Sequence, residues 1–279
     1  MNSTNVIVVI GVGGMGQAVA RRQGAGSNLL LADFDEKLLE SVADELRGQG
    51  HSVVTRAVDV SSHASVAALA DAAAELGPVT QVVHTAGLSP VQAPAKAILA
   101  VDLLGTALVL EEFGRVIAPG GAGVMIASMA GYMVPPGALG ADLEQALAHT
   151  PADDLLALPF LDADRLGAQG AYPLAKYANR LRVQAASRDW GRRGARVNSV
   201  SPGVISTPMG RQELAGDSGA QMRAMVEASG TGRVGTPDDI AAAAAFLLGP
   251  EATFITGNDL LVDGGVVAAL RSGRLTPGG

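Results

Sequence analysis

The chain has 279 residues, of which 48% are hydrophobic, 17% are charged and 36 are glycines, a composition that excludes a largely disordered protein. The net charge of −7 argues against general nucleic-acid binding, which requires a basic surface. The absence of cysteine excludes disulfides and a thiol nucleophile.

The chain also lacks the signatures of membrane insertion, secretion and metal binding. No apolar run approaches the roughly 20 residues needed to cross a bilayer, and no basic segment followed by a long apolar run opens the N-terminus. The four histidines show no ligand spacing. We therefore expect a soluble, cytoplasmic protein with no membrane partner, no nucleic-acid partner and no metal.

Seven short apolar runs alternate with longer helical stretches along the chain. Near-continuous apolar runs are typical of strands buried on both faces. The strands are predicted at 5–10, 28–33, 52–60, 79–84, 122–128, 195–201 and 258–264. Such repeated β–α units predict an α/β fold: a doubly wound, Rossmann-type parallel sheet of about seven strands with helices on both faces. No linker divides the chain, so a single domain over residues 1–279 is predicted.

Two long segments and a tail interrupt or follow this alternation. Residues 132–170 form an insertion with a helical piece near 139–148. Residues 207–235 form a second long connection, predicted to cover the substrate and to contain a short helix. Long connections of this kind are usually functional or interaction elements. Residues 266–279 form a tail of mostly small residues with no assignable role.

A glycine-rich turn joins the first predicted strand to the first helix. The stretch "GVGGMG" follows the strand directly, which is the context required of a dinucleotide-binding turn. The predicted contacts are Gly11, Gly13, Gly14, Met15 and Gly16. Asp33 closes the second strand, where a carboxylate accepts hydrogen bonds from the adenosine ribose, and the adjacent Phe34 supplies no cation for a 2′-phosphate. We therefore expect NAD rather than NADP; the alternative for Asp33 is a cap at a strand end.

The stretch "AYPLAKYANR" contains two of the three tyrosines in the chain. Tyr172 and Lys176 are four residues apart and would project from the same face of a helix. The pair is either an ordinary amphipathic pair or a site, and the spacing alone does not decide between them.

Taken together and in order, these motifs resemble the short-chain dehydrogenase/reductase family over about residues 5–265. Beside the glycine turn, "VDV" at 58–60, "HTAG" at 84–87 and "NSVSPGVISTPM" resemble further cofactor-binding segments of the family. The cofactor contacts that this resemblance implies are Asp59, Val60, Ala86, Gly87, Pro202, Gly203, Ile205 and Thr207, in addition to Tyr172 and Lys176.

The catalytic residues implied by the resemblance are Ser128 in "IASMAG" and Tyr172 and Lys176 in "YPLAK". Tyr172 would be the general acid/base, its pKa lowered by Lys176 and a positive nicotinamide, and Ser128 would donate to the substrate oxygen. Asp102 stands where the family commonly has an asparagine of the proton relay, and substitutes for it if the main-chain carbonyl does that work.

The 132–170 insertion makes the chain most similar to the branch of bacterial 3α-hydroxysteroid dehydrogenase/carbonyl reductase. The resemblance implies an NAD-dependent oxidoreductase acting on a hydrophobic secondary alcohol or ketone, steroid- or terpenoid-like among other lipophilic candidates, and a homodimer or homotetramer. The alternatives are a non-catalytic nicotinamide-binding redox sensor or scaffold and an NADP-dependent carbonyl reductase. The expected pocket walls, which could equally close the core or a subunit interface, are Met133, Val134, Leu156, Phe160, Met209, Leu214, Met222 and Met225.

Overall fold

A seven-stranded parallel sheet forms the centre of the molecule. The computed structural model describes residues 4–274; residues 275–279, the end of the predicted tail, lie outside this range. The strand order is β3-β2-β1-β4-β5-β6-β7, and every neighbouring pair is parallel. The strands are β1 Val6–Ile10, β2 Asn28–Asp33, β3 Ser52–Ala57, β4 Val79–His84, β5 Ile117–Ile126, β6 Arg196–Pro202 and β7 Asp259–Val262.

Helices cover both faces of this sheet. They are α1 Gly14–Gln23, α2 Glu36–Gly48, α3 His63–Leu76, α4 Ala95–Ile98, α5 Gly105–Val116, α6 Ala141–His149, α7 Ala152–Leu155, α8 Ala163–Arg192, α9 Pro208–Ala215, α10 Gly219–Ala228, α11 Pro237–Leu248 and α12 Val266–Arg271. A π-helical turn, Leu99–Leu104, precedes α5, and 3₁₀ turns span Met129–Tyr132 and Pro250–Ala252. Apolar residues of α3, α5 and α8 pack on one face of the sheet, and those of α1, α2 and α11 on the other. The predicted α/β class and single-domain, doubly wound topology are confirmed.

Several predicted boundaries differ from the observed ones. β5 begins at Ile117, five residues before the predicted start. The connection at 207–235 contains two helices, α9 and α10, rather than one. The predicted tail begins with α12, whose Val266 and Val267 are buried.

The 132–170 insertion packs against α5 and α8. Leu147 of α6 and Leu155 of α7 are fully buried in the same apolar cluster as these two helices. Arg182 of α8 donates from Nη1 to the carbonyls of Leu147 at 3.0 Å and Thr150 at 2.9 Å. The insertion is therefore a structural part of this face of the domain.

Candidate active site

The glycine turn lies where β1 and β4 end side by side. Gly11 has a φ of 91°, and a Cβ atom there would collide with the backbone nitrogen of Ala86, which follows β4. At Gly16, a Cβ atom would collide with the carbonyl oxygen of Gly11. The turn therefore requires glycine at both positions, and it places the amino end of α1 at the carboxyl edge of the sheet, where open α/β folds bind ligands.

Asp33 lies beside the glycine turn and is hydrogen-bonded to it. Its Oδ2 accepts a hydrogen bond from the Val12 amide at 2.7 Å, and its Oδ1 accepts one from the Asp35 amide at 3.0 Å. The sequence predicted a ribose contact for Asp33, with a cap at the strand end as the alternative. The bond from the Asp35 amide is such a cap, whereas the bond from the Val12 amide was not predicted. The adjacent Phe34 side chain is 77% exposed. Asp59 accepts two hydrogen bonds at its Oδ1 atom, from the Ser61 amide at 2.9 Å and from the Ser61 hydroxyl at 2.6 Å.

A cavity of about 630 Å³ opens along this edge. Its ionisable lining residues are Asp33 and Asp59. The predicted cofactor contacts that line it are Gly11, Gly13, Gly14, Met15, Asp33, Phe34, Asp59, Val60, Ala86, Gly87 and Thr207. Its volume falls in the usual range for small-molecule sites.

Six predicted cofactor contacts do not line this cavity: Tyr172 and Lys176, which belong to α8, and four others. Gly16 lies inside α1, and Pro202 ends β6. Gly203 packs against Asp263, and Ile205 faces a separate cavity of about 180 Å³. Of the eight predicted pocket-wall residues, Met209 lines the large cavity. Three others lie in the insertion: Phe160 packs against the core, whereas Met133 and Leu156 are exposed.

The predicted catalytic side chains lie close to one another, and two of them, Lys176 and Asp102, adjoin Gly87, where a Cβ atom would stand 3.3 Å from Nζ and Oδ1. Tyr172 and Lys176 occupy one face of α8, with the Lys176 Nζ atom 5.5 Å from the centre of the Tyr172 ring. Ser128 follows β5, and its Oγ accepts a hydrogen bond from the Ala130 amide at 3.1 Å, which leaves the hydroxyl proton free for donation. The Ser128 hydroxyl lies close enough to the Tyr172 phenol to lower the pKa of that phenol, although burial raises this pKa more strongly.

Asp102 lies in the π-helical turn before α5 and is fully buried. Its main-chain carbonyl accepts from the Thr106 hydroxyl at 2.8 Å and from the Asn179 amide at 3.0 Å. A carbonyl oxygen has two lone pairs, so both are used. The side chain reaches the site instead: Oδ1 accepts from the Leu88 amide at 2.8 Å, and Oδ2 lies 3.4 Å from Nζ of Lys176.

The protein groups around Tyr172 act on the pKa of its phenol in both directions. Burial raises the pKa of Tyr172, and the carboxylates of Asp102 and Glu213 add to that rise. The Lys176 ammonium lowers it, as expected, but does not outweigh the other effects. Burial opposes the charge of Lys176, yet the attraction of Asp102 and Tyr172 raises its pKa, so this side chain stays cationic.

Two further titratable residues at the site were not predicted. His84, the last residue of β4, is buried, and burial together with the nearby Lys176 lowers its pKa to about 3. The negative charge of Glu213, in α9, contributes to the raised pKa of Tyr172. His84 begins the "HTAG" segment, but its burial beside Lys176 follows from the fold, and Glu213 belongs to no motif.

Among residues 4–274, no helix has the length and apolar character required to span a membrane. Within the same residues, no group of three or more His, Cys, Asp or Glu side chains is arranged to hold a metal ion.

Comparison with known proteins is consistent with this geometry. A family model described as enoyl-(acyl carrier protein) reductase matches residues 11–141 and 155–267, leaving unmatched only a part of the insertion between them. A short-chain dehydrogenase/reductase, bsc3, of Alternaria brassicicola is 43% identical, with 96% of this chain and 97% of the relative covered. A D-threitol dehydrogenase of Mycolicibacterium smegmatis is 33% identical over 90% of this chain and 88% of its own length.

The fold is likewise shared with solved structures. A short-chain dehydrogenase/reductase from Mycobacterium ulcerans superimposes with a TM-score of 0.74 at 24% identity, covering 96% of this chain and 91% of that one. The similarity to the 3α-hydroxysteroid dehydrogenase branch in particular is not established by these relatives. On the family match, the relatives and the fold, the chain belongs to the short-chain dehydrogenase/reductase family of oxidoreductases.

Proposed function

We propose that the protein is an NAD-dependent oxidoreductase that interconverts a secondary alcohol and a ketone, with Tyr172 as the general acid/base. The observation that carries this proposal is the convergence of three groups from two elements. The buried Lys176 ammonium lies 5.5 Å from the Tyr172 ring, and the Ser128 hydroxyl lies beside the same phenol. A proton acceptor, a cation that favours the phenolate and a hydrogen-bond donor are the groups that alcohol oxidation requires.

The residues of the large cavity fit a nicotinamide dinucleotide. The glycine turn presents the amino end of α1, where backbone amides and the helix dipole favour a pyrophosphate. The adenosine end has Asp33 and Asp59, and the lining contains no lysine or arginine to bind a 2′-phosphate. These features favour NAD over NADP, so an NADP-dependent carbonyl reductase is the less supported alternative.

In the proposed mechanism, the chain's own residues handle the proton. A bound nicotinamide supplies the hydride acceptor for oxidation and the hydride donor for reduction. During oxidation, the Tyr172 phenolate takes the hydroxyl proton of the substrate while the Ser128 hydroxyl donates a hydrogen bond to the same oxygen. During reduction, the Tyr172 phenol returns the proton to that oxygen.

Asp102 supports this site through its side chain in our proposal. Since Thr106 and Asn179 already saturate its carbonyl, the main-chain relay considered from the sequence has no free acceptor there. The carboxylate instead pairs with the Lys176 ammonium, with Oδ2 at 3.4 Å from Nζ. Asp102 is thus a positioning residue for Lys176 rather than a copy of the family's asparagine.

A redox sensor without turnover is supported only by the exchange of asparagine for Asp102. The presence of Ser128, Tyr172 and Lys176 in one cluster favours the enzyme. For the substrate, we propose a secondary alcohol of moderate size. Because one relative is named a D-threitol dehydrogenase, alcohols with several hydroxyl groups are candidates in addition to the lipophilic alcohols expected from the sequence.

We further propose a cytoplasmic homodimer or homotetramer of this single domain. In proteins that this chain resembles, the helix corresponding to residues 171–190 often builds subunit interfaces, and here α6 of the insertion packs on that helix, α8. Any assembly must therefore form around the docked insertion. Light scattering at micromolar concentration tests this, and a strict monomer would contradict it.

The function is tested by absorbance at 340 nm with NAD⁺ or NADP⁺ and a panel of secondary alcohols that includes diols and hydroxysteroids. We expect a rise with NAD⁺ that Tyr172→Phe reduces by about 10²- to 10⁴-fold. Tyr177→Phe is the matched control, because Tyr177 lies on the same helix but donates its hydroxyl hydrogen bond to Glu144 of the insertion. Tight NADH binding without turnover of any alcohol would favour the sensor instead.

A further inference from the structure

The 3₁₀ turn Met129–Tyr132 fixes the backbone next to Ser128. The Ser128 carbonyl accepts a hydrogen bond from the Gly131 amide at 3.0 Å, and its Oγ atom accepts one from the Ala130 amide at 3.1 Å. Gly131 packs on the backbone of α8, since a Cβ atom there would stand 2.9 Å from the Tyr177 nitrogen. The conformation of this short turn therefore sets the position of the Ser128 hydroxyl relative to α8.

Tyr132, the last residue of the turn, is held by its hydroxyl group. The phenol donates a hydrogen bond to Oδ2 of Asp259, the first residue of β7, at 2.8 Å. Burial, together with this bond and the charge of the carboxylate, raises the pKa of Tyr132 to about 12. The phenol therefore keeps its proton at neutral pH and remains a donor that ties the end of the turn to β7.

Asp259 also receives contacts from two further elements. Its side chain is 6% exposed, and the Nε atom of Arg180, in α8, lies 3.5 Å from Oδ2. Its Oδ1 atom accepts from the hydroxyls of Ser199 at 2.5 Å and Ser201 at 3.0 Å, both in β6. A buried carboxylate needs such partners to offset the loss of its hydration. The turn after β5, the strand β6 and the helix α8 thus meet at this one carboxylate.

Arg180 connects this junction to the catalytic residues of α8. Its guanidinium carbon lies 3.8 Å from the centre of the Tyr132 ring, a cation–π contact, and Nη1 approaches the Gly131 carbonyl at 3.5 Å. Arg180 lies four residues after Lys176 and eight after Tyr172, so the three side chains lie along one side of the helix. The contacts that hold Tyr132 therefore also fix the turn relative to Tyr172 and Lys176.

The proposed chemistry makes this connection important. Ser128 follows a strand, whereas Tyr172 lies on a helix, and both must reach the same substrate oxygen. A hydrogen-bond donor stabilises the developing charge only when it is held at the correct distance, and a small displacement of a catalytic group lowers the rate strongly.

We infer that Tyr132, through its bond to Asp259, is a positioning residue that holds the Ser128 hydroxyl in place beside the Tyr172 phenol. This inference rests on the proposed function. Because the Tyr132 hydroxyl proton is already donated to Asp259, Tyr132 acts on the reaction through Ser128 rather than on the substrate itself.

The test is a double-mutant cycle on kcat, with the full chain, saturating NAD⁺ and an alcohol that the wild type oxidises. Tyr132→Phe removes only the hydroxyl group and keeps the ring that contacts Arg180. We expect this substitution to lower kcat roughly tenfold to a hundredfold and to leave the dissociation constant for NADH unchanged. In the Ser128→Ala background, the same substitution should change kcat by less than about twofold, because the group that Tyr132 positions is gone.

Two further comparisons separate positioning from general stability. Tyr177→Phe is the matched control, because it also removes a phenol hydroxyl that is bonded to a carboxylate, that of Glu144. It should leave kcat within about twofold of its reference in both backgrounds. Asp259→Asn, whose amide oxygen can still accept from Tyr132, should retain more of the wild-type kcat than Asp259→Ala.

The possible results distinguish this inference from the proposed function. Equal losses of kcat for Tyr132→Phe in both backgrounds would overturn the inference, because the hydroxyl would then act independently of Ser128. An unchanged kcat in Tyr132→Phe would overturn it as well, and in both cases the oxidoreductase stands. Tight NADH binding by the wild type without turnover of any alcohol overturns the proposed function, and the inference with it.

Discussion

The Nζ atom of Lys176 lies 3.4 Å from Oδ2 of Asp102, with both side chains buried. Lys176 therefore has a counter-ion in contact with its Nζ atom, and the centre of the Tyr172 ring lies 5.5 Å from the same atom. Burial raises the pKa of Asp102, and the attraction of Lys176 opposes this rise. The two charges of this pair act in opposite directions on the pKa of the Tyr172 phenol. The Lys176 ammonium lowers this pKa, and the Asp102 carboxylate raises it.

This relationship predicts opposite pH shifts for two substitutions. Oxidation requires the Tyr172 phenolate, so kcat/KM should rise with pH through the pKa of this group. Asp102→Asn removes a charge that raises that pKa, and the rising limb should move to lower pH. Lys176→Met removes the charge that lowers it, and the limb should move to higher pH.

The measurement is the pH dependence of kcat/KM for alcohol oxidation by the wild type and both variants. The titratable or polar groups facing Tyr172 and Lys176 are Asp102, His84, Ser128 and Glu213. His84 stays uncharged over the range measured, since its pKa is lowered to about 3. A shift of both variants in the same direction would rule out the proposed roles of the pair.

The strands and the glycine turn could be predicted because their signals are local. A strand buried on both faces is apolar at every position, and β1, β2 and β4 match the predicted runs to within one residue. β5 was predicted too short because Pro119, Gly120 and Gly121 are typical of turns. The Gly120 amide nevertheless bonds to the carbonyl of Gly194, a contact made by tertiary structure.

The details of the site depend on contacts that are distant in sequence. The Asp102 carbonyl is saturated by Asn179, 77 residues later, so spacing could not show that its acceptor sites are used. The raised pKa of Tyr172 could not be predicted from local sequence, because it depends on the burial of the phenol and on the charge of Glu213, 41 positions further on. The candidate catalytic residues could be predicted from the sequence, but the balance of charges around them follows from the fold.

Asp33 should determine which dinucleotide is preferred. Asp33→Asn keeps an oxygen that can accept from the Val12 amide while removing the charge proposed to bind the ribose hydroxyls and repel a 2′-phosphate. We expect the ratio of kcat/KM for NAD⁺ to that for NADP⁺ to fall by roughly tenfold to a hundredfold, the range for hydrogen bonds to a charged group. Asp35→Asn is the control, because asparagine caps α2 as well as aspartate does. An unchanged ratio in Asp33→Asn would contradict the proposal that the negative charge of Asp33 causes the preference for NAD⁺ over NADP⁺.

His84 should make the fold sensitive to acid. Its pKa is about 3 in the folded protein against 6.5 for the free side chain, so the unfolded state binds more protons between these values. Stability attributable to His84 is complete above pH 6.5 and is lost as the pH falls, by about 2 kcal/mol at pH 5. Urea unfolding at pH 5, 6 and 7 should show that His84→Gln loses about that much less than the wild type. His149→Gln, at an exposed position, should follow the wild type, and parallel losses in all three proteins would refute the prediction.

Arg182 should hold the insertion on the domain. Its guanidinium is buried and donates to the carbonyls of Leu147 and Thr150 and, from Nη2, to Glu111 at 3.1 Å. Arg182→Leu leaves two carbonyls without these donors, and each unsatisfied buried group costs about 1–3 kcal/mol. We expect the free energy of unfolding to fall by about 2–4 kcal/mol in urea titrations, together with faster proteolysis between residues 137 and 158. Arg188→Leu is the matched control, since Arg188 lies on the same helix with its side chain exposed. Equal stability of the two variants would mean that apolar contacts such as those of Leu147 and Leu155 hold the insertion without the arginine.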